Sequence, residues 1–454
     1  MNWAYETKKY GADKIILLGL FAVSLLIAHF IVQSKSIILF SGPVRLNYAG
    51  LSVSMPAGNG WQADKQWKYH ENAFTLNSSF SPGTKNPLAK ARCRYLPAAP
   101  KQAPNVLFER EASAVDGSIA QTGQSQTGVI IIDWAHIKTK DPFLDIFFGT
   151  AKLPNNNQFD IEVYQAAGDT NLAEQVFKSI AESLKFQGNQ LLEAGSEIIK
   201  EIKYTGTDGF LDDRSRESFF FIKDAKGRGI GFTMDVLRYA SAERSKDSVP
   251  LIDAQTEERL NVHGINLLYI RQGRYASEQV TFFKTDDRFA NFAWKNEING
   301  IAGRISTEVL LDETGIMTVE KTGSVSEGKN YQVSPAAIPE LLSEFVFGRM
   351  IISGYEKIIV DMIETNGKIA PALIWKAENN AEGGYVLNVE FLNDQGSSQK
   401  VYLDSQMRIF KVLLQRGNVT VQRTEVENIL REFPEQAGLI LRRNKMFEQE
   451  ATSN

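Results

Sequence analysis

The sequence predicts an α+β protein with a single N-terminal transmembrane helix, a small α/β sandwich domain, and a large mainly antiparallel β domain with one or two helices packed on it. Three observations predict it. An uncharged apolar run of eighteen residues stands near the N-terminus. A hairpin followed at once by an amphipathic helix comes in the first half, and the second half is a succession of short alternating segments broken by turns.

Composition narrows the class. The 454 residues hold 50 Lys+Arg against 54 Asp+Glu, one cysteine and four histidines. At roughly 150 residues per domain the length suggests two or three domains. A near-balanced charge argues against a nucleic-acid binder, which needs a basic surplus on some face. One cysteine excludes a disulfide framework within the chain and any Cys-based zinc or iron–sulfur site.

The apolar run, IILLGLFAVSLLIAHFIV at residues 15–32, carries only Ser24 and His29 as polar interruptions. At ~1.5 Å per residue it spans ~27 Å, close to a bilayer's hydrocarbon core. Lys8, Lys9 and Lys14 precede it, so the positive-inside rule makes residues 1–14 a cytoplasmic N-terminus and exports everything after Gln33 to a periplasmic or other extracytoplasmic space. Residues 15–33 are therefore read as an uncleaved signal anchor. A cleaved signal peptide is the alternative, but its apolar region runs ~7 to 15 residues and a small-residue site should follow; here only Ser34 and Ser36 offer one. His29 has no partner helix in the chain and reads as a neutral side chain snorkelling to the interface.

Residues 44–187 read as one small α+β domain. Leu51, Val53 and Met55 alternate with Ser52 and Ser54 ahead of Pro56, Gly58 and Gly60. Residues 82–104 are rich in Pro and Ala and predict an exposed loop, and residues 129–132 predict a central strand buried on both faces. The hairpin FFGTAK-LPNNN-QFDIEVYQ follows. Leu172, Val176, Ile180 and Leu184 then recur at helical spacing until Gly188, with Asn171 and Glu174 as a capping pair. The opening YAGLSVSMPAGNGW, the late hairpin and the helix AEQVFKSIAESLKF resemble the PsbP-like fold. That resemblance implies an α-β-α sandwich serving as a binding or assembly module, with no catalytic motif.

Residues 188–203 are polar with scattered apolar positions and predict a linker in the form of a short helix or strand. From 204 to 433 the pattern predicts a large antiparallel sheet: Ile230, Phe232, Met234 and Val236 alternate with Gly231, Thr233 and Asp235, and INLLYIRQ, EQVTFFK, KIIVDMIE, YVLNVEFL and QKVYL follow. An internal echo at an offset of 92 sets Val309-Leu-Leu-Asp312 beside Val401-Tyr-Leu-Asp404, each Asp opening a tight turn. Residues 335–350 predict a helix across the sheet, residues 424–433 a closing helix, and 434–454 a polar tail. KGRGIGFTMDVLRY, PAAIPELLSEFV and VYLDSQMRIFKVLLQ are similar to exported β-rich domains of unknown function that share features with lipoprotein carriers of the LolA kind.

Each candidate for chemistry has a plainer reading. GSVSEGK at 323–329 has phosphate-loop spacing, but Asn330 replaces the Ser or Thr and the following residues read as extended rather than helical. Gly227, Gly229 and Gly231 lie where a strand continues, which suits a turn and close packing rather than a dinucleotide fingerprint. Asp212-Asp213-Arg214 and Asp286-Asp287-Arg288 could hold calcium or supply acid and base, yet each Arg offers simple neutralisation. Cys93, between Arg92 and Arg94, could be an activated nucleophile with His70 or His136 as partner, or a buried thiol. His263 suggests no role. No cofactor or metal site is expected, and no catalytic residue is assigned.

The function expected first is therefore a non-enzymatic, membrane-anchored envelope protein with a binding or scaffolding role. Residues 15–33 would hold the membrane, and a protein or lipid partner would lie at its outer face, with no nucleic acid. The alternative is binding of a lipid or other apolar ligand by a curved C-terminal sheet, with Phe219, Phe221, Phe232, Phe282 and Trp375 as lining residues; Phe220 and Phe283 belong to the same aromatic set. A hydrolase is a third class, with only His70, His136 and His263 available outside the anchor.

Overall fold

The structure, a computed structural model, describes residues 38–440 apart from 71, 81–88, 140–143, 167–169, 208–210, 212–214, 240–259, 273–274, 301–302, 323–328, 378–383, 395–396 and 439. The predicted anchor, Asp212-Asp213-Arg214 and most of the polar tail lie outside these residues. Among the described residues no helix is long and apolar enough to cross a membrane.

The chain is rich in strands, and its sheets are antiparallel apart from one short parallel pairing. In the first half an eight-stranded sheet lies between two helices. α1 (Pro104–Ala114) packs Phe108 edge-on against Phe148 on one face. α2 (Thr170–Ser183) seats Phe177 against Phe147 and Trp134 on the other. Gly149 makes room for it, since a Cβ there would come 2.7 Å from the Phe177 ring. The predicted hairpin forms as Leu144–Lys152 paired with Gln158–Ala166.

Two expectations fail in this half. Residues 82–104 are not one exposed loop: they contain the strands Ala89–Leu96 and Ala98–Pro100, with Ala91, Cys93 and Tyr95 fully buried. The segment AKARCRYL alternates small apolar with charged residues, so its period of two was masked by the flanking prolines. The strand Ile130–Thr139 is not buried on both faces at its start, because Ile131 is 51% exposed and Val129 80%. It pairs with the edge strand Gly117–Thr127, most of whose residues are exposed.

The second half is one sixteen-stranded sheet, a long meander in which the strand Val419–Thr424 returns to pair with Ser215–Lys223. Ala98–Pro100 from the first half joins its far edge beside Lys329–Val333. A sheet this wide curls. Contacts across the interior show it: Trp294 donates to the Thr365 carbonyl at 2.9 Å and Gln279 to the Thr365 hydroxyl at 2.9 Å, although the strands Phe292–Gly300 and Lys357–Ile363 lie far apart in sheet order. The segment expected as a linker holds α3 (Gln190–Thr205), whose Ile198, Ile199 and Ile202 are buried in this interior core. The predicted 335–350 helix is shorter: Ala337–Pro339 is a strand, a 3-10 turn follows at Glu340–Leu342, and α4 (Ser343–Ile352) begins only after the prolines. On the outer face α5 (Val426–Glu432) and Phe433 cover Phe232 and Tyr269.

Turn chemistry repeats along the meander. The first carboxylate of residues 224–228, 312–316 and 404–408 accepts backbone N–H bonds two and four residues on, and the fourth residue takes positive φ: 77° at Gly227, 79° at Gly315, 62° at Met407. These are three-residue loops with a left-handed closing residue. The internal echo of Asp312 and Asp404 is this turn used twice.

Candidate functional site

Alternate residues of each strand face opposite sides of a sheet. In the curled sheet this places Arg216, Ser218 and Phe220 of Ser215–Lys223 inside, with Thr233, Asp235 and Leu237 of Gly229–Tyr239. Asn266 and Leu268 of Val262–Gln272, and Gln279 and Phe283 of Tyr275–Thr285, join them. Together with the turn before α4 and the strands that carry Val389, Val401 and Val412, they line a partly open cavity of about 690 Å³. That is within the range that accommodates small ligands.

A buried polar belt crosses the inner face in one register. Ser218 is paired with Asp235, Asp235 with Asn266, Asn266 with Thr281, Thr281 with Asn296, and Asn296 with Thr307. Asn266 donates its side-chain N–H to Asp235, and the Thr281 hydroxyl donates to Asn296 Oδ1 at 3.1 Å. Buried polar groups persist only when bonded in this way. Beside the belt Arg216 pairs with Glu344 and lies 5.3 Å from the centre of the Phe345 ring. Glu344 Oε1 also accepts from the Ile409 amide at 2.6 Å. Glu340 Oε1 accepts from the Thr365 amide at 3.0 Å. Burial pushes Glu340 up to about 7 and Asp235 up to about 6, and it raises Glu344 against the pull of Arg216. Asp235 is half-buried on the wall of the cavity.

The lining residues expected from the sequence are not those that line this cavity. Phe219, Phe221, Phe232 and Phe282 pack together under α5 on the outer side, and Trp375 lies outside beneath Lys357, 5.8 Å from its ring centre. Phe220 and Phe283, their sequence neighbours, do line the cavity. Runs such as Phe219-Phe220-Phe221 put aromatics on both faces, so composition alone cannot say which face is hollow. Arg216 and Asp235 were missed because a polar residue alternating with apolar ones on a strand reads as solvent-facing until the sheet curls, and Glu340 and Glu344 because acidic residues opening a helix read as its ordinary first turn.

The remaining candidates do not converge. Cys93 is fully buried beside Met55, and burial raises its thiol pKa, with Glu162 and Asp160 adding to the rise. Arg92 and Arg94 point to the opposite face, where they pair with Glu162 and Asp160. His136 sits three strands from Cys93, roughly 14 Å at the usual strand spacing. It contacts Asp145 at 2.7 Å and stacks on Phe147. His70 ends the strand Lys68–His70, and His263 contacts the Leu260 carbonyl at 3.0 Å. Asp286 accepts from the amides of Arg288, Ala290 and Asn291 and from the Asn291 side chain, which makes it a turn anchor. Lys329 opens the strand Lys329–Val333, so no helix follows the phosphate-loop spacing. Gly229 and Gly231 belong to the strand Gly229–Tyr239, and a Cβ on Gly231 would fall 2.1 Å from the Tyr269 carbonyl oxygen. Among the described residues no group of three or more His, Cys, Asp or Glu could hold a metal ion.

No family model matches the chain, and no curated protein matches it. Solved structures give partial likenesses. A β-barrel-like protein of the domain of unknown function DUF1849 from Brucella abortus is 7% identical, with a TM-score of 0.33, over 46% of this chain and 94% of that one. Cyanobacterial PsbP from Synechocystis sp. PCC 6803 is 9% identical at a TM-score of 0.26, over 33% of this chain and 94% of that one. LpqN of Mycobacterium tuberculosis, described as involved in cell envelope biogenesis, is 10% identical at 0.19, over 33% and 90%. At TM-scores this low the likenesses carry no argument about function.

Proposed function

We propose that the chain is a membrane-anchored, exported binding protein whose curled sheet holds a ligand with an apolar body. The observation that carries this reading is the cavity of about 690 Å³, walled on several sides by Phe220, Phe283, Phe345 and Val412 and crossed by a bonded polar belt. Apolar walls with a few fixed polar groups are the usual makeup of a small-molecule site. Residues 15–33 would tether the site at the outer face of a membrane, within reach of lipid-derived ligands. The first half, a sheet between two helices, serves in this reading as the base on which the binding sheet is mounted.

The experiment is mass spectrometry of the full chain, extracted from native membranes into polymer-bounded discs without detergent and then stripped with organic solvent. A stoichiometric apolar compound retained by the protein supports the reading. An interior that yields nothing beyond the bulk lipids of the disc counts against it.

A further inference from the structure

We propose that the ligand of this cavity carries an organic cation, an amine or quaternary ammonium joined to its apolar body. The inference rests on the reading that the cavity holds an apolar ligand and adds the charge of its polar end. The charged groups facing the space are Arg216 and Asp235 from neighbouring strands, Glu340 and Glu344 from the 3-10 turn and α4, and Glu364 from the hairpin end next to Glu340. Arg423, on Val419–Thr424, acts on Glu344 from outside the lining.

Four carboxylates thus confront one lining cation. Among the described residues only Glu344 is paired, with Arg216. Asp235 Oδ1 accepts from Asn266, and no donor among the described residues reaches its second oxygen. Burial raises Asp235 and Glu340 above the ordinary carboxylate range, Asp235 against the pull of Arg216, and a cation entering the cavity offsets part of the cost of holding them charged. A ligand carboxylate or phosphate would meet like charge instead. A bare metal ion does not fit, because the carboxylates do not gather into a metal-sized group. Phe220 and Phe283 line the same space as aromatic walls beside which an ammonium is favourable, while the Phe345 ring already carries the Arg216 guanidinium.

The test is titration calorimetry on the full chain with three ten-carbon ligands below their micelle concentrations at pH 8: decylammonium, decanol and decanoate. Decylammonium is expected to bind at least about 10-fold more tightly than decanol, and decanoate most weakly. Asp235→Asn and Glu340→Gln should each weaken decylammonium about 10-fold more than they weaken decanol. Lowering the pH from 8 to 5 should weaken decylammonium alone, because Glu340 and then Asp235 take up protons as pH falls through about 7 and about 6. Decanol binding with decanoate equal to or tighter than decylammonium overturns the cation and leaves the apolar cavity standing. Failure of all three ligands to bind overturns both.

Discussion

The inner and outer faces of the large sheet are made by the same strands and end in different states. On the outer face Phe219, Phe221, Phe232, Met234 and Phe282 close under α5 and Phe433. On the inner face the alternate residues of those strands leave a cavity whose lining carboxylates, Glu344 apart, make no ion pair among the described residues. The difference teaches that burial in this chain has two purposes. The outer face is packed to hold the fold, whereas the inner face is part packed, by α3 and α4, and part hollow.

The largest way to break that division is at α3. A Cβ on Gly195 would lie 1.9 Å from the Ile359 carbonyl oxygen, a backbone atom that cannot move aside. Gly195→Val should cost more than about 5 kcal/mol or prevent folding, read by urea denaturation; a loss under about 1 kcal/mol would show that α3 does not seat there. Next comes the outer seal, where Phe433→Ala removes a fully buried ring that touches Phe221, Phe232 and Tyr269. A cost of about 3–5 kcal/mol is expected by the same measurement.

A third prediction concerns the sheet where the first half covers it. Asp361 is fully buried there, accepts from Tyr48 and Ser334, and is pushed up to about 6 by burial. The native state keeps its proton in a window, from about pH 4 to about 6, where the unfolded chain has released it. This contribution is complete below that window and is lost as pH rises through it, amounting to about 3 kcal/mol. Melting curves from pH 4 to 7 should show the loss in the native chain and a flatter profile in Asp361→Asn; parallel profiles would remove the assignment.

Sequence legibility divides along the same line. The meander, the hairpin turns at Asp312 and Asp404, the late hairpin and the amphipathic helix at Thr170–Ser183 follow from local periodicity and turn chemistry, and they were readable. Which face is hollow depends on the curl of the whole sheet, a property of contacts such as Trp294 with Thr365 that are 71 residues apart. The same limit hid Asp235: Thr233 and Asp235 look solvent-facing in GIGFTMDVL until the sheet closes around them. The strand Ala89–Leu96 was missed for a local reason, its small alanines and flanking prolines.

The smallest effect is also the sharpest contrast. Val412→Phe adds volume into the cavity and should cost less than about 1.5 kcal/mol, whereas Val280→Phe on the packed outer face should cost about 1–3 kcal/mol. Equal costs would mean that the two faces are packed alike.

The central claim, that the inner face is a binding site, is tested most directly by the decanol isotherm of the full chain beside that of Val412→Phe. The account predicts saturable binding to the native chain and a loss of at least about 10-fold in the variant, with a melting temperature lowered by no more than about 5 °C. Equal binding by both would place the ligand elsewhere and contradict it.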